Sequence, residues 1–269
     1  MLAMGFIASD TRRQVARITG RLTRKGQPTI HYFHQVDDPY SHLAVQKVDA
    51  LANRYGVKFE FHLVQNPTNE EQGDALRFPA WALRDARSIA SDYGTELPQK
   101  VDQIDRHQVE YAESYLSRYL ADADFAQKAV AIGHQLWSGE ALEKLPASNA
   151  AANGSAIRKK LGHWLSATFY FEGEWYWGVD RLVHLENRLR DMRLSNDPAG
   201  ICVPRPAPEL LEGKDASAVT LEFFPSLRSP YTAISFDRAI ALAQRTKVRL
   251  KLRPVMPMMM RGVAAPRVK

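Results

Sequence analysis

The chain has almost no cysteine and no long hydrophobic run, and each absence excludes a class of protein. Its 269 residues include a single cysteine, Cys202, which can form neither an internal disulfide nor a Cys-x-x-Cys dithiol. No apolar run approaches the roughly 20 residues that span a bilayer, so no membrane partner is expected. The first residues lack the basic segment of a secretory signal. We therefore expect a cytoplasmic protein without a dithiol centre.

Metal-binding and phosphate-binding motifs are also missing from the sequence. The eight histidines show no spacing of the His-Glu-x-x-His type, so no metal site is expected. There is no Gly-rich phosphate loop, no Gly-x-Ser-x-Gly elbow and no kinase signature. Zinc peptidases, P-loop nucleotidases, α/β-hydrolases and kinases are therefore not indicated.

Basic charge is concentrated at the end of the chain. The net charge is +6, but residues 245–269 hold eight Lys/Arg and no acidic residue, which leaves the preceding part at −2. Lys and Arg alternate with Val and Leu over 247–253, as on one solvated strand face. No recognition helix or RNA-binding aromatic signature accompanies this stretch, so no nucleic-acid partner is expected.

An internal repeat dominates what the sequence does contain. At an offset of 191 residues, Pro39-Tyr40 aligns with Pro230-Tyr231, and identical residues recur on both sides without a gap. The repeat predicts two related units. The second copy stops at Lys269, well before the length of the first, so the sequence predicts a tandem repeat with a truncated second copy.

The order of the periodic segments predicts the domain organisation. Val15, Ile18 and Leu22 recur at helical spacing between arginines, which predicts a basic, amphipathic N-terminal helix within 1–28 that packs on the domain as a surface appendage. The next segments are a domain over 29–194, a Pro-rich linker over 195–219 that holds Cys202 as an incidental thiol, and the start of a second unit over 220–269.

Within 29–194 the patterns follow a recognisable order. Strand signals at 29–35 and 57–63 flank one helix that opens at Asp38-Pro39 and closes at Gly56, which predicts a parallel βαβ unit. Helical patterns over about 69–160 predict an insertion, and a hairpin over 168–177 with a final helix completes the domain. The predicted fold class is α/β, a thioredoxin-like fold with a helical insertion, followed by a partial second thioredoxin-like unit.

The motifs at these places resemble those of a known family. Asp38-Pro39-Tyr40-Ser41, then Leu165-Ser-Ala-Thr-Phe169, then Trp177-Gly-Val-Asp-Arg-Leu182 are similar to the DsbA-like thioredoxin superfamily, in particular its branch of 2-hydroxychromene-2-carboxylate isomerases and kappa-class glutathione transferases. The resemblance implies glutathione as cofactor and a small electrophilic substrate. It also implies glutathione-binding roles for Tyr40, Ser166, Ala167 and Asp180.

Two departures from the family pattern bear on function. The family places Ser or Cys before Pro-Tyr, where the helix N-terminus holds a thiolate, whereas this chain has Asp38. Asp38 is either a helix cap followed by proline at the first helical position or a catalytic residue. Ala167 replaces the family's cis-proline, so we expect a trans Ser166-Ala167 bond. Both departures predict a degenerate site in the first copy.

The second copy has the serine of the family motif before Pro-Tyr, at Ser229. This serine fits a catalytic residue and a plain helix cap equally well. The leading hypothesis is a glutathione-dependent isomerase or transferase, in which a thiolate adds to an electrophile. One alternative is a non-catalytic scaffold or regulatory module that supports a partner repeat, within the chain or in a homodimer. The other, a thiol-disulfide oxidoreductase, rests on the family label only.

Overall fold

The computed structural model describes residues 10–24, 26–67, 76–98, 100–195, 200–207, 215–226, 229–256 and 260. These residues divide into two compact units, which we call unit 1, up to Pro206, and unit 2, from Ala207 onward. Across the described ranges, no helix is both long and apolar enough to cross a membrane.

Unit 1 alternates strands and helices before and after a helical block. Its described elements are α1 (Asp10–Thr23), β1 (Thr29–His34), α2 (Pro39–Val45), α3 (Val48–Tyr55), β2 (Lys58–Leu63), α4 (Phe78–Ile89), α5 (Arg106–Leu116), α6 (Phe125–Ser138), α7 (Ala150–Lys160), β3 (Thr168–Phe171), β4 (Glu174–Trp177) and α8 (Leu182–Asp191), with 3-10 turns at Ser91–Tyr93, Ser117–Tyr119 and Val179–Arg181.

The sheet of unit 1 has the strand order β2-β1-β3-β4. β1 and β2 are parallel, with Thr29 opposite Lys58, whereas β3 runs antiparallel to both β1 and β4. The predicted βαβ unit and hairpin are therefore confirmed. Both patterns are local, because alternating side chains mark the strands and Glu172-Gly173 marks the turn.

The crossover between β1 and β2 differs from the prediction, because two helices replace one. After α2, the N–H of Lys47 donates to the carbonyl of Ala44, three residues back, at 3.1 Å. The side chain of Gln46 donates to the carbonyl of His42 at 2.9 Å. These bonds tighten the last turn and end α2. α3 then ends, as predicted, at Gly56, whose φ of 57° lies in the left-handed region.

Helix α1 is present, and the apolar side chains of its amphipathic pattern face away from the domain. Val15, Ile18 and Leu22 are between 57% and 80% exposed. The opposite face lies against the β3–β4 turn, where Arg17 pairs with Glu174 at 2.8 Å and Arg24 with Glu172 at 3.0 Å. These pairs are intramolecular contacts between distant parts of the chain, which a helical-period argument does not detect.

Residues 200–206, which the sequence places in the linker, pack onto unit 1. Glu186 in α8 is fully buried and accepts three hydrogen bonds. Their donors are the Tyr55 hydroxyl at 2.8 Å and the backbone N–H groups of Cys202 at 2.6 Å and Val203 at 2.7 Å. A buried carboxylate therefore fixes Cys202, which the sequence suggested was an incidental loop thiol.

Helix α7 of the insertion approaches β2 unusually closely. A Cβ added at Gly154 would lie 2.0 Å from the carbonyl oxygen of Leu63 and 3.2 Å from the Cβ of His62. Only glycine allows this approach, since real Cβ atoms do not come within 3.0 Å of backbone atoms. The contact places the helical block over one face of the sheet, beside His62.

Unit 2 contains β5 (Thr220–Phe223), α9 (Pro230–Thr246) and β6 (Arg249–Leu252) among its described residues. β5 and β6 are parallel, with Thr220 opposite Arg249. At the offset of 191 residues these elements start where β1, α2 and β2 start. The N–H of Ser226 donates to the Thr232 hydroxyl at 3.0 Å, as that of Gln35 donates to the Ser41 hydroxyl at 3.2 Å. The two βαβ segments thus share their local hydrogen bonding.

Candidate functional site at the start of helix α2

Asp38 caps α2 and is enclosed by donors from its own chain. Its carboxylate accepts the N–H groups of Tyr40 at 3.2 Å and Ser41 at 3.0 Å. It also accepts the hydroxyl groups of Ser41 at 2.7 Å and Ser166 at 2.8 Å. The residue is 9% exposed. Both N–H groups that a bound anion would use at this helix end are therefore already bonded to Asp38.

Ser41 joins this cap to the loop before β3. While its hydroxyl donates to Asp38, its oxygen accepts the N–H groups of Gln35 at 3.2 Å and Ala167 at 3.0 Å. Tyr32 donates its buried hydroxyl to the Ser41 carbonyl at 2.9 Å. Ser41 is thus the central residue of the site, a role that the sequence did not assign to it.

Ala167, where the sequence resemblance leads one to expect a cis-proline, has a trans peptide bond and a left-handed backbone. Its peptide bond to Ser166 is trans, since no cis bond occurs among the described residues, and its φ is 53°. The left-handed region costs a non-glycine residue roughly 1 to 2 kcal/mol. Two hydrogen bonds hold it: the N–H to Ser41, and the carbonyl, which accepts from Gly178 at 2.8 Å. Both backbone polar groups of Ala167 are used inside the protein.

Two influences act in opposite directions on the Asp38 carboxyl. Burial raises the pKa of Asp38 above its ordinary value, while the hydrogen bonds from Ser41, Ser166 and Tyr40 lower it, so the net shift is upward. Burial penalises the charged form, whereas donors stabilise it. The carboxyl group therefore serves as an internal acceptor in a closed site.

The side chains of Tyr40 and Asp180, the other predicted binding residues, have their partners outside this cap. The Tyr40 hydroxyl donates to Asp85 at 2.7 Å, and its ring meets Trp177 edge-on at a centroid distance of 6.2 Å. Burial and the Asp85 carboxylate raise the pKa of Tyr40. Asp180 is half exposed and pairs with Arg181 at 3.3 Å, as predicted for a carboxylate at a helix start with a neighbouring ion pair. The structure thus joins Asp38, Ser166 and Ala167, while the Tyr40 and Asp180 side chains have other partners.

Ser229 occupies the equivalent cap position in unit 2. Its backbone is extended, with φ −90° and ψ 127°, and its hydroxyl makes no capping hydrogen bond in the described part of that unit. The Ser229 N–H donates to the Ser226 carbonyl at 2.8 Å. Unlike the Asp38 carboxylate, the Ser229 side chain is not committed to its own helix.

A second group of side chains, with atoms that can ligate a metal ion, lies on β1 and β2, and no sequence motif indicated it. His31, Glu60 and His62 place one potential metal-binding atom each within 4.8 Å of the others. No single segment carries the three ligands, so no local spacing motif exists. From the sequence, the three residues come together only if the two predicted strands are paired in parallel and in the correct register.

The strand order and directions identify the architecture of unit 1. A parallel βαβ unit, a helical block, an antiparallel hairpin and a final helix form one mixed sheet. The fold is thioredoxin-like. No protein-family model and no curated protein matches the sequence.

The solved structures that are similar to the chain include these two. One is a 2-hydroxychromene-2-carboxylate isomerase, with 20% identity and a TM-score of 0.45 over 61% of this chain and 96% of the isomerase. The other is the cytosolic disulfide reductase DsbM from Pseudomonas aeruginosa, with 14% identity and a TM-score of 0.38 over 60% of this chain and 98% of DsbM.

Proposed function

We propose that unit 1 is a thioredoxin-fold module that performs no thiol chemistry at the start of α2 and acts as a supporting or regulatory unit. The observation that carries this proposal is the Asp38 carboxyl group. It accepts four hydrogen bonds from its own chain, two of them from the N–H groups at the helix end.

An incoming thiolate meets two obstacles at this helix end. The N–H groups of Tyr40 and Ser41 are already bonded to Asp38, so a ligand would have to displace an acceptor attached to the same chain. Two unit negative charges 4 Å apart also repel each other by about 1 kcal/mol in water and about 4 kcal/mol near a protein surface. Both effects disfavour glutathione binding through its sulfur.

The backbone of Ala167 gives separate support. In the related fold this edge is expected to pair with the peptide backbone of glutathione. Here its N–H donates to Ser41 and its carbonyl accepts from Gly178. Binding of glutathione at this edge would have to break tertiary hydrogen bonds within unit 1.

Thermal unfolding in millimolar glutathione tests the proposal. A ligand at 100 times its dissociation constant adds roughly 2.7 kcal/mol to stability, so a binding site would raise the melting temperature. We expect no rise for the unaltered chain. Asp38→Ser keeps a good helix cap and removes the repulsion, so any binding that emerges should be stronger in this variant.

Asp105→Ser is the matched control, because Asp105 also caps a helix, accepting from His107 at 2.9 Å, but is exposed. It should not change the response to glutathione. Stabilisation of the unaltered chain by glutathione that Asp38→Ala abolishes would overturn the proposal and make Asp38 a binding residue.

A second candidate function is a glutathione-dependent isomerase or transferase acting on an electrophilic aromatic substrate through unit 2. The observation in its favour is the Ser229 hydroxyl, which is not used as a cap, in a segment hydrogen-bonded like its equivalent in unit 1. If this candidate is correct, glutathione should stabilise the chain and Ser229→Ala should remove that stabilisation. Ser235→Ala, a change within the same helix, should not.

A further inference from the structure

The parallel register of β1 and β2 brings three potential metal ligands onto one face of the sheet. His31 lies opposite Glu60, and Phe33 lies opposite His62. Residues two apart on a strand point to the same face, so Glu60 and His62 share a face of β2. The ring contact between His31 and His62 shows that the His31 side chain lies on this face as well.

The three ligand atoms are spaced as a metal ion requires. His31 Nδ1 lies 3.1 Å from His62 Nε2. Glu60 Oε1 lies 3.7 Å from His31 Nδ1 and 3.5 Å from His62 Nε2. Tetrahedral zinc, with bonds of about 2.0 to 2.2 Å to nitrogen and oxygen, places neighbouring ligand atoms about 3.3 to 3.5 Å apart. The triangle in this protein therefore needs only small side-chain rotations to accept the ion.

The surroundings fix the inner ligand and leave the outer side of the triangle open. The His62 ring stacks on Phe33 at a centroid distance of 4.7 Å, and its side chain is 7% exposed, against 28% for His31 and 51% for Glu60. A metal ion entering from the Glu60 side would keep contact with solvent. Such a site resembles centres in which three protein ligands leave a fourth position for water.

The contact between the two histidines also fits metal binding. A hydrogen bond between two imidazole nitrogens uses one proton, donated by one ring to the lone pair of the other. A metal ion can take the place of that proton if the donor ring changes tautomer, so that its proton moves to the other ring nitrogen and both facing nitrogens present lone pairs. Two imidazoles with one carboxylate suit zinc and its first-row neighbours better than magnesium or calcium, which prefer oxygen ligands.

We propose that His31, Glu60 and His62 bind one divalent transition-metal ion of the zinc type across β1 and β2, with a fourth position open to water. The alternative is a set of polar contacts on the sheet surface that has no metal affinity. This inference is independent of the function proposed for Asp38, because it uses different side chains.

Titration of the full chain with Zn²⁺ by calorimetry, and with Co²⁺ by visible absorption, tests the proposal. We expect one ion per chain, a tetrahedral or five-coordinate cobalt spectrum and a higher melting temperature with zinc. Glu60→Gln and His31→Gln should each weaken binding by more than about 100-fold, since even changes to residues behind the ligands cost 10- to 100-fold. Both residues are partly exposed, and circular dichroism would verify that the variants fold.

His107→Gln is the matched control, because His107 and Glu110 form an exposed His–Glu pair at 3.6 Å on α5, and no third ligand completes this pair among the described residues. It should leave the affinity unchanged. Absence of saturable binding by the unaltered chain would overturn the proposal. Binding that persists unchanged in both Glu60→Gln and His31→Gln would do so as well.

Discussion

The Ser166 hydroxyl donates to the Asp38 carboxylate at 2.8 Å, across 128 residues of sequence. This bond connects the first turn of α2 to the loop that enters β3, and Ser41 reinforces the connection through the N–H of Ala167 at 3.0 Å. A helix cap is usually a local device. Here it also joins two parts of unit 1 that are distant in sequence, the start of a helix and the loop before a strand.

Ser166→Ala should therefore destabilise unit 1 more than a surface serine change does. The substitution removes a donor to a buried carboxylate, and bonds to charged groups contribute about 1.5 to 3 kcal/mol. Urea unfolding would measure the loss. The control is Ser88→Ala, which removes an exposed hydroxyl bond to the Asp85 carbonyl at 2.7 Å and should cost less than about 1 kcal/mol. Equal losses in both variants would contradict the role given to Ser166.

Glu186→Gln should release residues 200–206 from α8 while nearly preserving the shape of the side chain. Glutamine has only one acceptor oxygen. Its NH₂ group would face at least one of the donors that now bond to the Glu186 carboxylate, and two donors cannot bond to each other. We expect a loss of about 2 to 4 kcal/mol and faster reaction of Cys202 with a thiol reagent. Glu143→Gln, at an exposed position, should change neither quantity. Unchanged Cys202 reactivity in Glu186→Gln would contradict the conclusion that Glu186 holds residues 200–206 on unit 1.

Gly154→Ala should destabilise unit 1 although alanine is the better helix former. The propensity gain is about 1 kcal/mol, but the new Cβ would lie 2.0 Å from the Leu63 carbonyl oxygen, which belongs to a strand and cannot rotate away. Overpacking of this kind costs about 1 to 3 kcal/mol, so the clash should outweigh the gain. Asn153→Ala, one residue earlier and exposed, should be neutral or slightly stabilising. Thermal unfolding would distinguish the two.

Acid should weaken the protein through two buried histidines. Burial lowers the pKa of His34 to about 3 and that of His42 to about 4, while both titrate near 6.5 when unfolded. Below pH 6.5 the unfolded chain binds more protons, so stability falls with decreasing pH, by up to about 1.4 kcal/mol per pH unit for each histidine.

Glu113 changes the stability in the opposite direction, because burial raises its pKa to about 7. A comparison of single-residue variants therefore isolates the contribution of a buried histidine. His42→Leu should flatten the dependence of unfolding free energy on pH between about pH 6.5 and 4. His184→Leu, at an exposed position, should leave the dependence unchanged. An unaltered slope in His42→Leu would mean that His42 is already accessible to protons in the folded state.

Local patterns were enough to predict much of the fold. Strand alternation located β1, β2 and the hairpin, and the Asp38-Pro39 pair identified the start of α2, because these features depend on neighbouring residues. The break between α2 and α3 depends on the side chain of Gln46, which also donates to the distant carbonyl of Glu96 at 2.8 Å. Helical periodicity does not contain that information.

The candidate sites also depend on contacts between distant residues, which local sequence patterns do not predict. The sequence identified Asp38, Ser166 and Ala167 through a resemblance, but it did not place Ser41 between them. The sequence shows no metal-binding motif among the histidines, because the pairing of His31 with Glu60 depends on strand register. The docking of α1 depends on two arginines that pair with glutamates far along the chain, and a local helical pattern does not contain that information.

The attachment of α1 makes the N-terminal part of unit 1 sensitive to ionic strength. Ion pairs hold this helix to the β3–β4 turn, while its aliphatic side chains face water. The arginines of these pairs are 34% and 26% exposed and the glutamates 10% and 7%, so dissolved salt, whose Debye length shrinks to about 3 Å at 1 M ionic strength, screens the pairs in part. Salt does not weaken apolar burial in the same way. Ionic strength should therefore loosen α1 while leaving the sheet intact, so that the N-terminal segment becomes susceptible to proteases in a medium in which the rest of the unit stays folded.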